Sequence, residues 1–139
     1  GTGSKVTITG TPTSGQGKII KYSFTLKSWF INNGGTTLNW SDAAAYCTKQ
    51  SGYSLATVQQ LNGNSNHGDG TRGTLGGLWS EWGRLLAYNG GAGFSGSDGW
   101  SSEQKSSGYH YIVYLHNGNV GSHSSNDSYT GIVVCRQGF

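Results

Sequence analysis

The side chains able to do chemistry are few and dispersed. Four histidines, His67, His110, His116 and His123, raise the question of a metal. His110 and His116 have equal parity on one expected strand, and His123 could approach across a hairpin. Six residues of strand nevertheless separate the first two by roughly 20 Å, too far to share one zinc ion. Solvent-facing or hydrogen-bonding histidines are expected, with no metal ligand among them. A serine hydrolase would need a Gly-x-Ser-x-Gly elbow, and Gly93-Phe94-Ser95-Gly96-Ser97 misses it. Glu81 and Glu103 have nothing in their spacing to make them an acid/base pair. The chain reads as no enzyme: no catalytic residue and no cofactor are expected.

Cys47 and Cys135 lie 88 positions apart and match no metal or redox spacing. A disulfide, which implies an oxidising compartment, is their best use, and two buried free thiols are the alternative. Closing so long a loop would stabilise by roughly 4 to 5 kcal/mol in the chain-entropy account. The formal net charge is +3. Residues 1–49 carry five lysines against Asp42, and the remainder is nearly neutral. Nucleic-acid binding needs a basic stripe to neutralise phosphates, and none is visible. No stretch approaches the ~20 apolar residues of a membrane span, and no signal peptide opens the chain. An exported protein would therefore contain this sequence as a fragment of something longer.

Length bounds what can position these groups: 139 residues make one domain. With 25 Gly, 19 Ser and 1 Pro, composition alone would suggest low complexity. Seventeen aromatic residues argue instead for a folded, loop-rich domain whose core rests on rings. Residues 1–4, Gly-Thr-Gly-Ser, are set aside as foreign to the fold. Residues 5–17 read as a linker or first strand, or as the tail of a preceding domain, and 18–139 as the domain proper.

Ile20, Tyr22, Phe24 and Leu26 alternate with polar residues, which predicts a half-buried strand. Trp40 to Cys47 opens a helix, with Ser41 placed to cap it, Asp42 beside the positive end of its dipole and Gly52 as its stop. Thr57 and Gln60 have capping-box spacing for a second helix. Leu75, Leu78, Trp79, Trp82, Leu85 and Leu86 fall at helical spacing, interrupted by Gly76, Gly77 and Gly83, which suits one or two turns of helix ending at Gly83. Tyr109 to His116, a two-residue turn at Asn117-Gly118, and Gly131 to Arg136 complete a strand-rich last third. Ile132, Val133 and Val134 form the continuous apolar run of a strand buried on both faces.

Taken in order, Trp40-Ser41-Asp42-Ala43-Ala44-Ala45-Tyr46-Cys47, Ser54-Leu55-Ala56-Thr57, Leu78-Trp79-Ser80-Glu81-Trp82-Gly83, Trp100-Ser101-Ser102 and Val133-Val134-Cys135-Arg136 resemble a C-type lectin-like domain. More narrowly, residues 18 to 136 resemble the terminal lectin-like domain of the intimin and invasin adhesins. The resemblance implies an α+β fold: two helices on antiparallel sheets, paired terminal strands, and Cys47 on the first helix joined to Cys135 on the last strand. It also implies a bacterial surface location, at the end of a rod anchored in the outer membrane through the rest of the parent protein. An immunoglobulin-like domain of the same chain would precede this one. The implied partner is a host protein: an integrin-like receptor, a receptor supplied by the bacterium, or an immunoglobulin. No nucleic acid and no direct membrane contact are implied.

Calcium-dependent sugar binding is not expected. Its proline-containing ligand loop is missing, and six scattered carboxylates offer no calcium cage. Arg72-Gly73-Thr74 is the nearest approach to an Arg-Gly-Asp integrin motif and lacks its carboxylate. The motif tryptophans Trp79, Trp82 and Trp100 are expected to be mostly core. Candidate contacts lie in the loops between residues 84 and 99 and near 117 to 129: Arg84, Tyr88, Phe94, Asp98 and Asp127, aromatics and charges in otherwise polar surroundings. The alternatives are a calcium-independent lectin using an aromatic platform, and a structural cap on the rod.

Overall fold

The structure, a computed structural model, describes residues 4–15, 17–85, 93–94, 98–126 and 128–139. Its elements in chain order are β1 (Ser4–Gly10), β2 (Ile20–Leu26), β3 (Ser28–Ile31), α1 (Trp40–Lys49), β4 (Ser54–Leu55), α2 (Val58–Asn62), α3 (Leu78–Trp82), β5 (Asp98–Ser106), β6 (Tyr109–Tyr114), β7 (Val120–Ser124) and β8 (Cys135–Gly138). They build three antiparallel sheets, ordered β1-β2, β3-β8-β4 and β5-β6-β7.

Two buried clusters hold the body together. Alternation on β6 sends Val113 into one and Ile112 into the other. The first cluster is roofed by α2 and α3 through Val58, Leu61, Leu78 and Trp79. The second is roofed by α1 through Ala43 and Cys47, over a fully buried Trp100. The run before β8 serves both: Ile132 and Val134 enter the first cluster, Val133 and Cys135 the second. That is the two-sided burial expected of a continuous apolar run. Cys47 and Cys135 are disulfide-bonded with their α-carbons 5.3 Å apart. The terminal strands of the body pair, Ser28 opposite Gly138 through Ile31 opposite Cys135. The expected α+β architecture is thus present, with α3 as a third, one-turn helix.

Three local expectations are corrected. The cap of α1 is Asn39, whose side chain accepts from the Asp42 amide at 2.9 Å, and Ser41 lies inside the helix. With Asn39 as its cap the helix begins at Trp40, two residues earlier than a cap at Ser41 would place it, and Trp40 docks on the sheet through its indole N–H to the Ser101 carbonyl.

The β6–β7 connection is a five-residue loop, 115–119, in place of a two-residue turn. Leu115 is buried in the core and the chain needs extra length to return. Gly118, at φ +77°, lies so close to Trp79 that a β-carbon there would sit 2.3 Å from the ring.

The third correction concerns β2, which pairs with β1 and is not half-buried. Ile20, Tyr22 and Phe24 are 59%, 72% and 46% exposed. Strict alternation shows that one face is apolar; it does not supply what covers it. Cross-strand register puts Val6 opposite Phe24 and Ile8 opposite Tyr22, with Thr7 and Ser23 between them in the ladder. The hairpin therefore carries one apolar and one polar face.

Candidate functional site

Most of the described carboxylates serve the architecture, as does His67. Glu103 accepts from the Val58 amide at the start of α2 and pairs with His67 at 2.8 Å. His67 in turn lies flat on Tyr111, ring centroids 4.5 Å apart. Glu81 accepts from the Gly76 amide in the turn before α3. Glu81 and Glu103 thus do separate structural jobs. Asp69 accepts from the Val120 amide and so ties the Asn-rich loop after α2 to β7. The buried Asn62 reinforces that tie, donating to the Gly68 and Gly118 carbonyls. Among the described residues, no three His, Cys, Asp or Glu side chains gather in a way that could hold a metal ion. Arg72 is likewise committed: its guanidinium donates to the Trp79 and Ser80 carbonyls and closes the end of α3.

The five candidate contacts fall in different settings. Arg84 is exposed just beyond α3. Tyr88 and Asp127 lie outside the described residues. Phe94 is partly buried against the first cluster. Asp98, at the start of β5, accepts a hydrogen bond from the Tyr129 hydroxyl. Burial, followed by that bond and the carboxylate's charge, pushes the Tyr129 hydroxyl above its usual range. Asp98 is therefore an internal anchor for Tyr129, which also meets Trp100 edge-on at 5.4 Å.

An apolar groove of about 1090 Å³ opens between the hairpin, β3 and α3, lined by Phe24, Trp29, Leu75, Leu78, Trp82 and Phe94. Trp29, Leu75 and Trp82 are 52%, 83% and 62% exposed along it. Of the motif tryptophans, Trp79 and Trp100 are core as expected and Trp82 is not. It is the last residue of a single-turn helix and has passed the edge of the cluster that its neighbours fill. One signal for this surface stood in the sequence. Leu75 shares the helical spacing of Leu78 and Trp82 but is cut off from them by Gly76-Gly77, so a large apolar residue is left in turn chemistry.

No protein-family model matches the chain. Over 111 residues, 80% of its length, the chain is 37% identical to the inverse autotransporter adhesin YeeJ of Escherichia coli (strain K12). It spans 4% of that protein's length. Among solved structures it is similar to invasin, described as a bacterial integrin-binding protein, with a TM-score of 0.70 and 20% identity. That likeness covers 98% of this chain and 25% of the other, and it establishes the shared fold.

Proposed function

Because this chain is a domain of the intimin/invasin family of adhesins, we propose that it is the host-protein-binding tip of a longer bacterial surface protein, working by contact without calcium or catalysis. The identity to an adhesin segment over four fifths of the chain carries this reading. The local chemistry agrees with it. The carboxylates and His67 described above brace loops, and large apolar side chains stand exposed on a surface that is otherwise polar.

The proposed contact set is Arg84, Tyr88, Phe94, Asp98 and Asp127. Arg84, Tyr88 and Asp127 would touch the partner. Phe94 and Asp98 would act mainly by holding their loops, given their core and Tyr129 contacts. The partner is a host protein of one of three kinds: an integrin-like receptor, a receptor delivered by the bacterium, or an immunoglobulin. The parent protein would be anchored in the outer membrane. The bare apolar face of the β1-β2 hairpin and the adjoining groove would meet a preceding immunoglobulin-like domain of the same chain. A two-stranded hairpin is marginal alone in water, so a second sheet over Val6, Ile8, Tyr22 and Phe24 is what such a face requires.

The test is binding of the purified domain, in EDTA, to a panel of host surface and serum proteins, each intact and enzymatically deglycosylated. Saturable binding that survives deglycosylation is the expected result. Binding lost with the glycans would establish a lectin instead, and adhesion unchanged on deleting the domain from the parent would make it a cap.

A further inference from the structure

Charge is divided unevenly along the chain. Residues 1–41 hold four lysines and no acid, and all six carboxylates follow from Asp42 onward. Four of those six are engaged within the body: Asp69 with the Val120 amide, Glu81 with the Gly76 amide, Asp98 with Tyr129 and Glu103 with the Val58 amide. Lys5, Lys18, Lys21 and Lys27 are exposed, and none of them forms an ion pair among the described residues.

Folding turns this scatter into a face. The register of the β1-β2 hairpin sets Lys5 opposite Thr25, Thr7 opposite Ser23 and Thr9 opposite Lys21. Directly opposed residues share one side of a ladder, and the Thr7 and Ser23 hydroxyls do meet, at 3.0 Å. Lys5 and Lys21 therefore lie on the same side, about 14 Å apart along the strands. Lys18 stands in the connection at the Lys21 end, and Lys27 follows β2 directly at the Lys5 end. Val6, Ile8, Tyr22 and Phe24 belong to the opposite side. The cationic side thus presents ammonium groups with hydroxyls between them, and neither a ring nor a carboxylate.

We propose that this side of the hairpin binds a sulfated polysaccharide. Four unpaired cations with no acid among them call for a polyanion, and the rest of the face decides which one. Single-stranded nucleic acid is held by stacking bases on aromatic side chains, and the hairpin's rings are on its other side. A membrane would take up the apolar side and turn the lysines away from the headgroups. An acidic peptide would seek apolar anchors beside the charges, and this side offers none. A sulfated chain asks only for spaced point charges and hydroxyl partners, which Lys5, Lys21, Thr7 and Ser23 supply. Binding here needs none of the protein contacts proposed above, and it leaves the apolar side to the proposed preceding domain.

Both strands of the hairpin are also edges, and lysines on edge strands discourage pairing with other chains. That role needs charge and no ligand, so the two are separable by experiment.

The experiment is calorimetric titration of the whole chain with heparin between about 50 and about 200 mM salt. Chemically desulfated heparin, phosphatidylglycerol vesicles and duplex DNA are titrated beside it. Saturable binding to heparin is expected, falling linearly with salt on logarithmic axes and lost on desulfation. In Lys5→Gln/Lys21→Gln, affinity at the lower salt should fall about fivefold for each lysine, the worth of one contact ion pair in water. Lys49→Gln/Lys105→Gln removes the same net charge from the body and should leave affinity unchanged. If the hairpin variant self-associates, Lys18→Gln, which lies off the ladder, must still weaken binding about fivefold. No loss there would make the lysines edge guards and overturn the proposal. So would the absence of heparin binding, undiminished binding after desulfation, equal losses in the two double variants, or vesicles or DNA bound as tightly as heparin. No host protein enters the titration, so a chain that binds heparin and captures no receptor would count against the host-protein reading alone.

Discussion

The cluster beneath α1 and the β1-β2 hairpin are built from the same kinds of side chain, and only one of them is closed. Around Trp100, the residues Ala43, Cys47, Ile112, Val133 and Cys135 have no exposed surface. The two nearby indole N–H groups are satisfied, Trp40 by the Ser101 carbonyl and Trp100 by the Leu38 carbonyl. On the hairpin, Ile8, Ile20, Tyr22 and Phe24 alternate as regularly as any core strand and lie open. The difference is topological. Chain segments 38, 43–47, 100, 112 and 131–135 converge on the first region from across the sequence, whereas the hairpin is matched only by its own other strand. Hydrophobic periodicity defines a face, and long-range connection decides whether that face is a core or a contact.

If this contrast is right, the closed region should be costly to damage. Reducing the Cys47–Cys135 bridge, or replacing both cysteines by alanine, should cost about 3 to 5 kcal/mol, read as a lower urea midpoint. Trp100→Ala should cost a similar amount, about 3 to 5 kcal/mol, through the cavity and the lost bond to the Leu38 carbonyl. A melting temperature indifferent to reductant would break the comparison at its strongest point.

A smaller effect probes how tightly the first cluster is closed at the β6–β7 loop. Gly118→Ala meets both a positive φ and the Trp79 ring, whereas Gly73, at φ +89°, has nothing within 4 Å of a built β-carbon. Gly73→Ala should therefore show the backbone cost alone, about 1 to 2 kcal/mol. Gly118→Ala should exceed it by about 1 to 3 kcal/mol of overpacking. Equal losses would mean that the Trp79 contact yields freely. Smaller again is the cap of α1: Asn39→Ala should cost about 1 kcal/mol, and Ser41→Ala about 0.5 kcal/mol or less.

These sites also mark where sequence stops being legible. The helices, the disulfide partners and the doubly buried run before β8 follow from patterns that are local or chemically exclusive. A capping box needs only Thr57 and Gln60, and both halves of it form. What the sequence hides depends on partners far away. Nothing near Glu103 announces that it anchors α2 and His67, and Asn62 looks like a loop residue until Gly68 and Gly118 come to it. The candidate contacts divide the same way. Arg84 is exposed just beyond α3, while Asp98, a turn-former in sequence, is drawn to Tyr129 by a fold that brings residue 129 beside β5. The groove is the clearest omission, since exposed Trp82 and buried Trp79 share one five-residue helix and one motif.

The smallest expected effect bears most directly on the open region. In this chain, Tyr22→Ser and Phe24→Ser should each change stability by no more than about 0.5 kcal/mol, because each removes surface that water already covers. The same substitutions in a longer piece of the parent, with the proposed preceding domain attached, should cost about 1.5 to 3 kcal/mol each, the value of fully burying a large apolar side chain. Paired urea titrations of the two lengths read the difference. A cost in the short chain would show that the hairpin folds back on the body in solution, and its apolar face would then belong to the core after all. No cost in either length would leave that face open to a partner other than the neighbouring domain. A cost in the longer piece alone would show that the apolar face of the hairpin is covered by the proposed preceding domain, with the exposed Trp29, Leu75 and Trp82 beside it along the groove.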